Sequence, residues 1–156
     1  MQKKSREKRK YLRFDMDAKI YFRVAYDIKT KVKFRVVKKE GRGALSEKYQ
    51  GLSKNINIEG LRFSSEKRLK IGERLYIELY LPKLKKPVCM TGDVRWSRMV
   101  SSRMKGRYKF DTGVRLISVF GKLVSDSIYF DKKNQILWSI VLDSIFGNFR
   151  KLMRHK

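Results

Sequence analysis

Alternation of apolar and polar residues with a period of two runs through most of the chain up to residue 117, and it restricts the chain to a sheet protein. Ala18, Ile20, Phe22 and Val24 alternate with Lys19, Tyr21 and Arg23, and Val32, Phe34 and Val36 with Lys31, Lys33 and Arg35. A turn near Asp27–Lys29 separates these two runs, which together predict a hairpin. Residues 38–54 contain Gly41, Gly43, Gly51, Ser46 and Ser53 and read as a long loop or hairpin tip, flanked by short strands that continue into Leu61–Ser64. Leu75, Ile77, Leu79 and Leu81 share one strand face, opposite Tyr76, Glu78 and Tyr80. Pro82 and the basic Lys83–Lys86 turn end that strand. Two more strands are predicted at Val88–Met99 and Tyr108–Ile117, joined by the polar Ser101–Arg107 loop. At least six short antiparallel strands with turn-rich links predict a mainly β fold, a barrel or a sandwich.

After residue 121 the period changes to 3.6 and predicts a C-terminal α-helix. Ile136, Ile140, Ser144, Asn148 and Leu152 form one row, Leu137, Val141, Ile145 and Phe149 the next, and Trp138, Leu142 and Phe146 a third. Such a helix is apolar over more than one stripe, so a single contact with the sheet would leave rows exposed. A second neighbour is expected, either another copy of the chain in a homo-oligomer or a lipid interface.

Charge narrows the function classes. Forty Lys and Arg oppose 15 Asp and Glu, a net charge of +25. A field of this sign favours nucleic acids, anionic membrane surfaces or phosphate-bearing ligands, and it equally fits a basic surface with no such partner. Residues 1–13 are almost wholly polar and basic, and alone they cannot bury enough area to offset ordering entropy. The lone cysteine, Cys89, cannot form an internal disulfide, which suits a reducing cytosol. No apolar run follows the N-terminal charges, so no signal peptide is expected. Ile136–Phe149 is too short for a membrane span and carries Asp143, Ser139, Ser144 and Asn148. A cytoplasmic location follows as the expectation. H-E-x-x-H, G-x-S-x-G and G-x-x-x-x-G-K-[ST] are missing, and His155 is a single histidine in a basic tail. Neither an enzyme, a metal site nor a cofactor is expected.

Two short motifs remain. Arg9-Lys10-Tyr11-Leu12-Arg13 is an R-x-x-x-R run just before the first predicted strand. Asn55-Ile56-Asn57-Ile58-Glu59-Gly60 is an N-x-N-x-x-G turn followed by the apolar Leu61 and Phe63. In this order the pair resembles the PilZ family, whose signature is R-x-x-x-R and then [DN]-x-S-x-x-G after an early hairpin. Gly92-Asp93-Val94-Arg95-Trp96-Ser97 and Gly113-Val114-Arg115-Leu116-Ile117 are similar to that family's later strands. The resemblance covers roughly residues 6–120. It implies a six-stranded antiparallel β-barrel with a C-terminal α-helix. The chain then divides into a flexible basic segment over 1–13, a PilZ-like barrel over 14–120, and a helical region with a basic tail over 121–156. Three features depart from the family pattern: Asn57 stands where Ser is usual, Leu12 where many relatives carry Pro, and the interval from Arg13 to Asn55 is long, implying an extended hairpin around residues 25–50.

The ligand implied by the resemblance is cyclic di-GMP, with two phosphates and two guanines. Guanine O6 and N7 form an acceptor pair that a planar guanidinium grips bidentately. By resemblance, Arg9 and Arg13 hold guanine edges and phosphate, Asn55 and Asn57 hydrogen-bond a guanine from the barrel surface, and Gly60 supplies the turn conformation. Lys8 adds a phosphate contact. The N-terminal segment would fold over the ligand and relay its binding to an output protein.

Blander readings stand beside these. Arg9 and Arg13 fit a solvated tail, and Asn55–Gly60 fits an ordinary Asx-type turn. Trp96 reads as core or barrel edge rather than a stacking platform, and Tyr11 as packing. Two further functions stay open: a degenerate PilZ domain serving as an interaction or oligomerisation module, and a basic nucleic-acid-binding protein, whose affinity would fall steeply with salt.

Overall fold

The computed structural model describes residues 22–23, 25–38, 44–82, 84–100, 108–133 and 135–147. Eight strands make the main sheet: β2 (Ala25–Asp27), β3 (Lys31–Val36), β4 (Tyr49–Asn57), β5 (Gly60–Ser65), β6 (Arg74–Leu79), β7 (Val88–Met99), β8 (Phe110–Val119) and β9 (Lys122–Leu123). Six of them close on themselves in the order β3-β4-β5-β8-β7-β6, and every pairing round the ring is antiparallel. Closure removes the exposed strand edges that an open sheet would present. β2 adds to β4 and β9 to β8. A small second sheet joins β1 (Phe22–Arg23) and β10 (Ile128–Asp131) to β11 (Ile136–Ser139). A short helix, α1 (Ile140–Leu142), follows and widens into π-type turns over Asp143–Gly147.

The alternation fills the barrel. Val32, Phe34, Ile56, Leu61, Phe63, Leu75, Ile77, Leu79, Val88, Met90 and Val94 point inward and are buried. Phe34 and Phe63 pack with ring centroids 5.0 Å apart. Each such side chain contributes about 1.5–3 kcal/mol by leaving water. The predicted face Leu75, Ile77, Leu79 and Leu81 is buried throughout. The helical turns press Val141, Leu142 and Phe146 onto the same core, and the Tyr26 hydroxyl donates to Asp143 Oδ1 at 3.0 Å.

Three local expectations need correction. The first is the hairpin between the runs 18–24 and 32–36. Residues 18–21 and 24 lie outside the described ones, and Phe22–Arg23 pairs in parallel with Ile136–Leu137. β2 and β3 both run antiparallel to β4, so they are two pieces of one strand path and not partners. Asp27 faces Asn55 and Lys31 faces Leu52: four steps on one side oppose three on the other. Ser53 stitches this irregularity. Its hydroxyl donates to the Ile28 carbonyl and accepts from the Thr30 N–H, while its own N–H donates to the Thr30 carbonyl.

The second correction concerns residues 38–54. The strand β4 already starts at Tyr49, so Gly51 and Ser53 lie within it. A Cβ on Gly51 would collide with the Ser64 carbonyl oxygen. That glycine marks a close backbone approach rather than a turn. The β3–β4 hairpin does extend past its strands, with Val37 bridging Leu45 and Lys38 N–H donating to the Ala44 carbonyl at 2.8 Å.

The third concerns the helix expected across 136 and beyond. Residues 136–139 are strand, paired with β10 so that Tyr129 faces Trp138. Helical turns start only at Ile140, where the Ser139 hydroxyl caps the Leu142 N–H at 3.2 Å. The error has a simple cause: an i, i+4 spacing satisfies a period of two as well as one of 3.6. Leu137 and Ser139 are buried while Ile136 and Trp138 are half-buried, which is strand alternation. Asn148, Phe149 and Leu152 lie outside the described residues.

Candidate functional site

The N-x-N-x-x-G segment closes the β4–β5 hairpin. Asn57 pairs with Gly60, and Ile58 and Glu59 form the two-residue link. Asn57 Oδ1 accepts from the Glu59 N–H at 2.8 Å and from the Gly60 N–H at 3.2 Å. The local job of Asn57 is therefore an Asx turn that satisfies two backbone donors. Gly60 adopts φ 142°, and a Cβ there would collide with the Val114 carbonyl on β8. Only glycine lets the hairpin lie this close to the next strand.

Register then carries the site across four strands. Asn55 faces Arg62, Arg62 faces Gly113, and Gly113 faces Trp96, all on the outer surface. The Trp96 indole lies over Gly113, in space that any Cβ would take. The guanidinium of Arg62 sits 5.8 Å from the Trp96 ring centroid and that of Arg98 4.9 Å, within cation–π range. The register slips between Thr91 and Gly92 and, beside the row itself, between Ser53 and Asn55 and between Val94 and Trp96. The two slips beside the row each insert a basic residue, Lys54 and Arg95. The result is a hollow of about 260 Å³ lined by Asn55, Asn57, Gly60, Arg62, Arg95 and Trp96, among others. Glu59 and Arg95 also border an adjoining hollow of about 220 Å³ that includes Arg115.

Arg62, in the lining of the first hollow, also meets a buried carboxylate that lies outside it. Asp111 is 3% exposed, and its Oδ2 meets Lys54 Nζ at 2.9 Å and Arg62 Nη2 at 3.4 Å. Asp111 Oδ1 and Arg62 Nε are buried and have no hydrogen-bond partner among the described residues. Two cations against one anion leave this cluster positive; at the hollow itself Arg62 and Arg95 outnumber the single carboxylate of Glu59. Such a surface is built to take an anion, and a flat aromatic wall suits a base.

A family model for the PilZ domain matches residues 7–119. The chain belongs to the PilZ domain family. The match spans the R-x-x-x-R run, the N-x-N-x-x-G turn and every residue of the larger hollow's lining. PilZ domains as a family are cyclic di-GMP receptor domains, binding modules rather than catalysts. Searches of curated proteins and of solved structures each return no match. Among the described residues, no helix is long and apolar enough to cross a membrane, and no group of three or more His, Cys, Asp or Glu could hold a metal ion.

Of the PilZ signature residues, Asn55, Asn57 and Gly60 come together at one end of the hollow. Lys8, Arg9 and Arg13, with Tyr11, lie outside the described residues. Sequence reasoning missed Arg62 and Arg95 and assigned Trp96 to the core or barrel edge. The structure puts Trp96 half-buried on the outer face, in the wall of the hollow. The signal for Arg62 was present: it alternates with the inward Leu61 and Phe63, so it had to point out beside Gly60. Arg95 likewise points outward after the inward Val94, whereas the outward turn of Trp96 had no such signal, because a bulge cannot be read from alternation.

Proposed function

We propose that this PilZ domain is a cytoplasmic cyclic di-GMP receptor that binds its ligand in the hollow between the Asn55–Gly60 turn and Trp96. One observation carries the reading: the signature turn, an outward arginine and an aromatic wall converge across four strands on one positively charged surface. A guanine stacks against Trp96, in contact worth about 1–3 kcal/mol per base. Asn55 and Asn57 offer amide groups to its edge. The Asn57 carbonyl is engaged by the turn, so its NH₂ is the group left for the ligand. Asn57 thereby replaces the hydroxyl donor of the usual Ser. Lys8, Arg9 and Arg13 supply the cations that close over the phosphates from the N-terminal side. Together these contacts support micromolar binding, about −8 kcal/mol.

Ligand binding orders the N-terminal segment, and that change is what an output protein senses. The exposed Tyr129 and Ile140 beside the C-terminal helical turns are the apolar groups a second copy of the chain would cover. Calorimetric titration with cyclic di-GMP, beside cyclic di-AMP and the Arg13→Ala variant, tests the reading. Saturable binding that is guanine-specific and at least about tenfold weaker in the variant is expected. Absence of heat at high ligand concentration would overturn it and favour an interaction module without ligand. Binding to any polyanion with a steep salt dependence would favour the nucleic-acid reading.

A further inference from the structure

We propose that Arg62 reads the N7/O6 edge of guanine in this PilZ domain and that the buried carboxylate of Asp111 positions it. The inference rests on the hollow being the cyclic di-GMP site. Arg62 stands in the middle of the row, between Asn55 and Gly113, with the Trp96 ring beyond. Its side chain is 40% exposed and lines the hollow, while its Nε is buried with no hydrogen-bond partner among the described residues. Asp111 holds it loosely. The 3.4 Å contact to Arg62 Nη2 is at the limit of a hydrogen bond, and the same carboxylate oxygen is already taken by Lys54 at 2.9 Å. Lys54 therefore neutralises Asp111, and the donor fork of Arg62 is left largely without acceptors.

A base lying against Trp96 has its edge beside that fork. Guanine offers two acceptors there, O6 and N7, which match two parallel N–H groups. Adenine offers N7 and an amino donor, so one arm of the fork would meet a donor. The fork thus provides specificity as well as affinity. Asp111 does not line the hollow itself: it faces Ser64 and Arg98 across the sheet, is almost wholly covered, and its contact with Nη2 restrains a guanidinium that lies 5.8 Å from the Trp96 ring centroid.

The test is a cycle between one ligand atom and one side chain. Affinities for cyclic di-GMP and for its 7-deaza analogue, which has C–H in place of N7, are measured on the wild-type protein and on Arg62→Lys. Lysine keeps the charge and loses the fork. The wild type is expected to favour cyclic di-GMP over the analogue by about tenfold, and Arg62→Lys, whose point charge lacks the two parallel donors, to favour it by clearly less. A preference that survives intact in Arg62→Lys overturns the assignment. Lys54→Gln leaves Asp111 to Arg62 alone, so the fork turns to the carboxylate and the N7 preference is expected to shrink. Asp111→Asn is expected to shrink the N7 preference, and because the site is buried Asp111→Glu is read beside it, keeping the charge but displacing it. An unchanged preference in the folded variants overturns the positioning role. No binding of cyclic di-GMP by the wild type refutes the ligand itself, an outcome distinct from binding whose N7 dependence ignores Arg62.

Discussion

Two outer faces of one barrel differ sharply here. On the β3–β6–β7 face the register runs without a slip through five pairs and then six. Its polar groups answer one another. Glu78 takes Lys48 Nζ at 3.1 Å and the Tyr80 hydroxyl at 2.8 Å, and Thr91 and Ser118 share a 2.7 Å hydrogen bond. On the β4–β5–β8–β7 face the register slips three times, two glycines bring backbone and indole close, and two buried polar atoms have no partner among the described residues. The first face also has the larger hollow, about 490 Å³ against about 260 Å³. Size is therefore not what singles out the proposed site. A face whose polar groups satisfy each other has little to give a ligand, while an uncompensated one gains when an acceptor arrives.

The largest effect expected in this comparison is on folding. Gly60→Ala forces a Cβ into the Val114 carbonyl at a positive φ, so strain and overpacking together should cost about 3 kcal/mol or more. Urea denaturation should show a much lower midpoint at an unchanged slope. Gly72→Ala is the control: its φ is also positive, at 93°, but its Cβ would meet nothing within 4 Å, so it pays conformational strain without a clash. Equal losses in the two variants would mean that the approach of β5 to β8 is not what requires glycine.

Next comes ligand affinity. Trp96→Ala should weaken cyclic di-GMP binding by roughly ten- to a hundredfold, the value of one stacked base, with little loss of stability. Tyr76→Ala removes a more accessible ring from the opposite face, 49% exposed where Trp96 is half-buried, and should leave affinity unchanged. If both variants bind as the wild type does, the contrast between the faces has no bearing on recognition.

The two faces were also unequally legible. β7 matched its expected span, Val88–Met99, and the buried row of β6 was named residue by residue, because regular strands obey alternation. The site face broke that rule. Gly51 looked like a turn residue but marks a backbone contact, and the bulge at Arg95 turns Trp96 to the outer face, where alternation from Val94 would send it inward. The signature turn was readable since its Asn and Gly act locally, within the hairpin they close. That Trp96 neighbours Arg62 through Gly113 depends on register across three strands, and no local pattern records it. The C-terminal error came from the opposite cause: four residues are two strand periods and nearly one helical turn, so Ile136–Ser139 satisfied both patterns until pairing with Ile128–Asp131 decided between them.

The smallest effect expected is a pH dependence confined to the regular face. The Tyr80 hydroxyl donates to Glu78, and with burial this pushes its pKa up to about 12. A raised folded value favours the protonated phenol. The stability it adds is full below the ordinary value of 10.0 and is lost as pH climbs through about 12. Glu78 moves the other way: the Tyr80 hydrogen bond first, then Lys48, hold its carboxyl below the ordinary 4.5 against the opposing cost of burial. Its contribution is full above that value and is lost as pH falls through the depressed one. Tyr80→Phe should therefore be less stable than the wild type across the neutral range, with the gap closing at both extremes, as read from denaturant midpoints at a series of pH values. Cyclic di-GMP affinity should not change in this variant. A Tyr80→Phe protein that lost affinity would show that the two faces are coupled through the barrel, and the division between a self-satisfied surface and a receptive one would have to be abandoned.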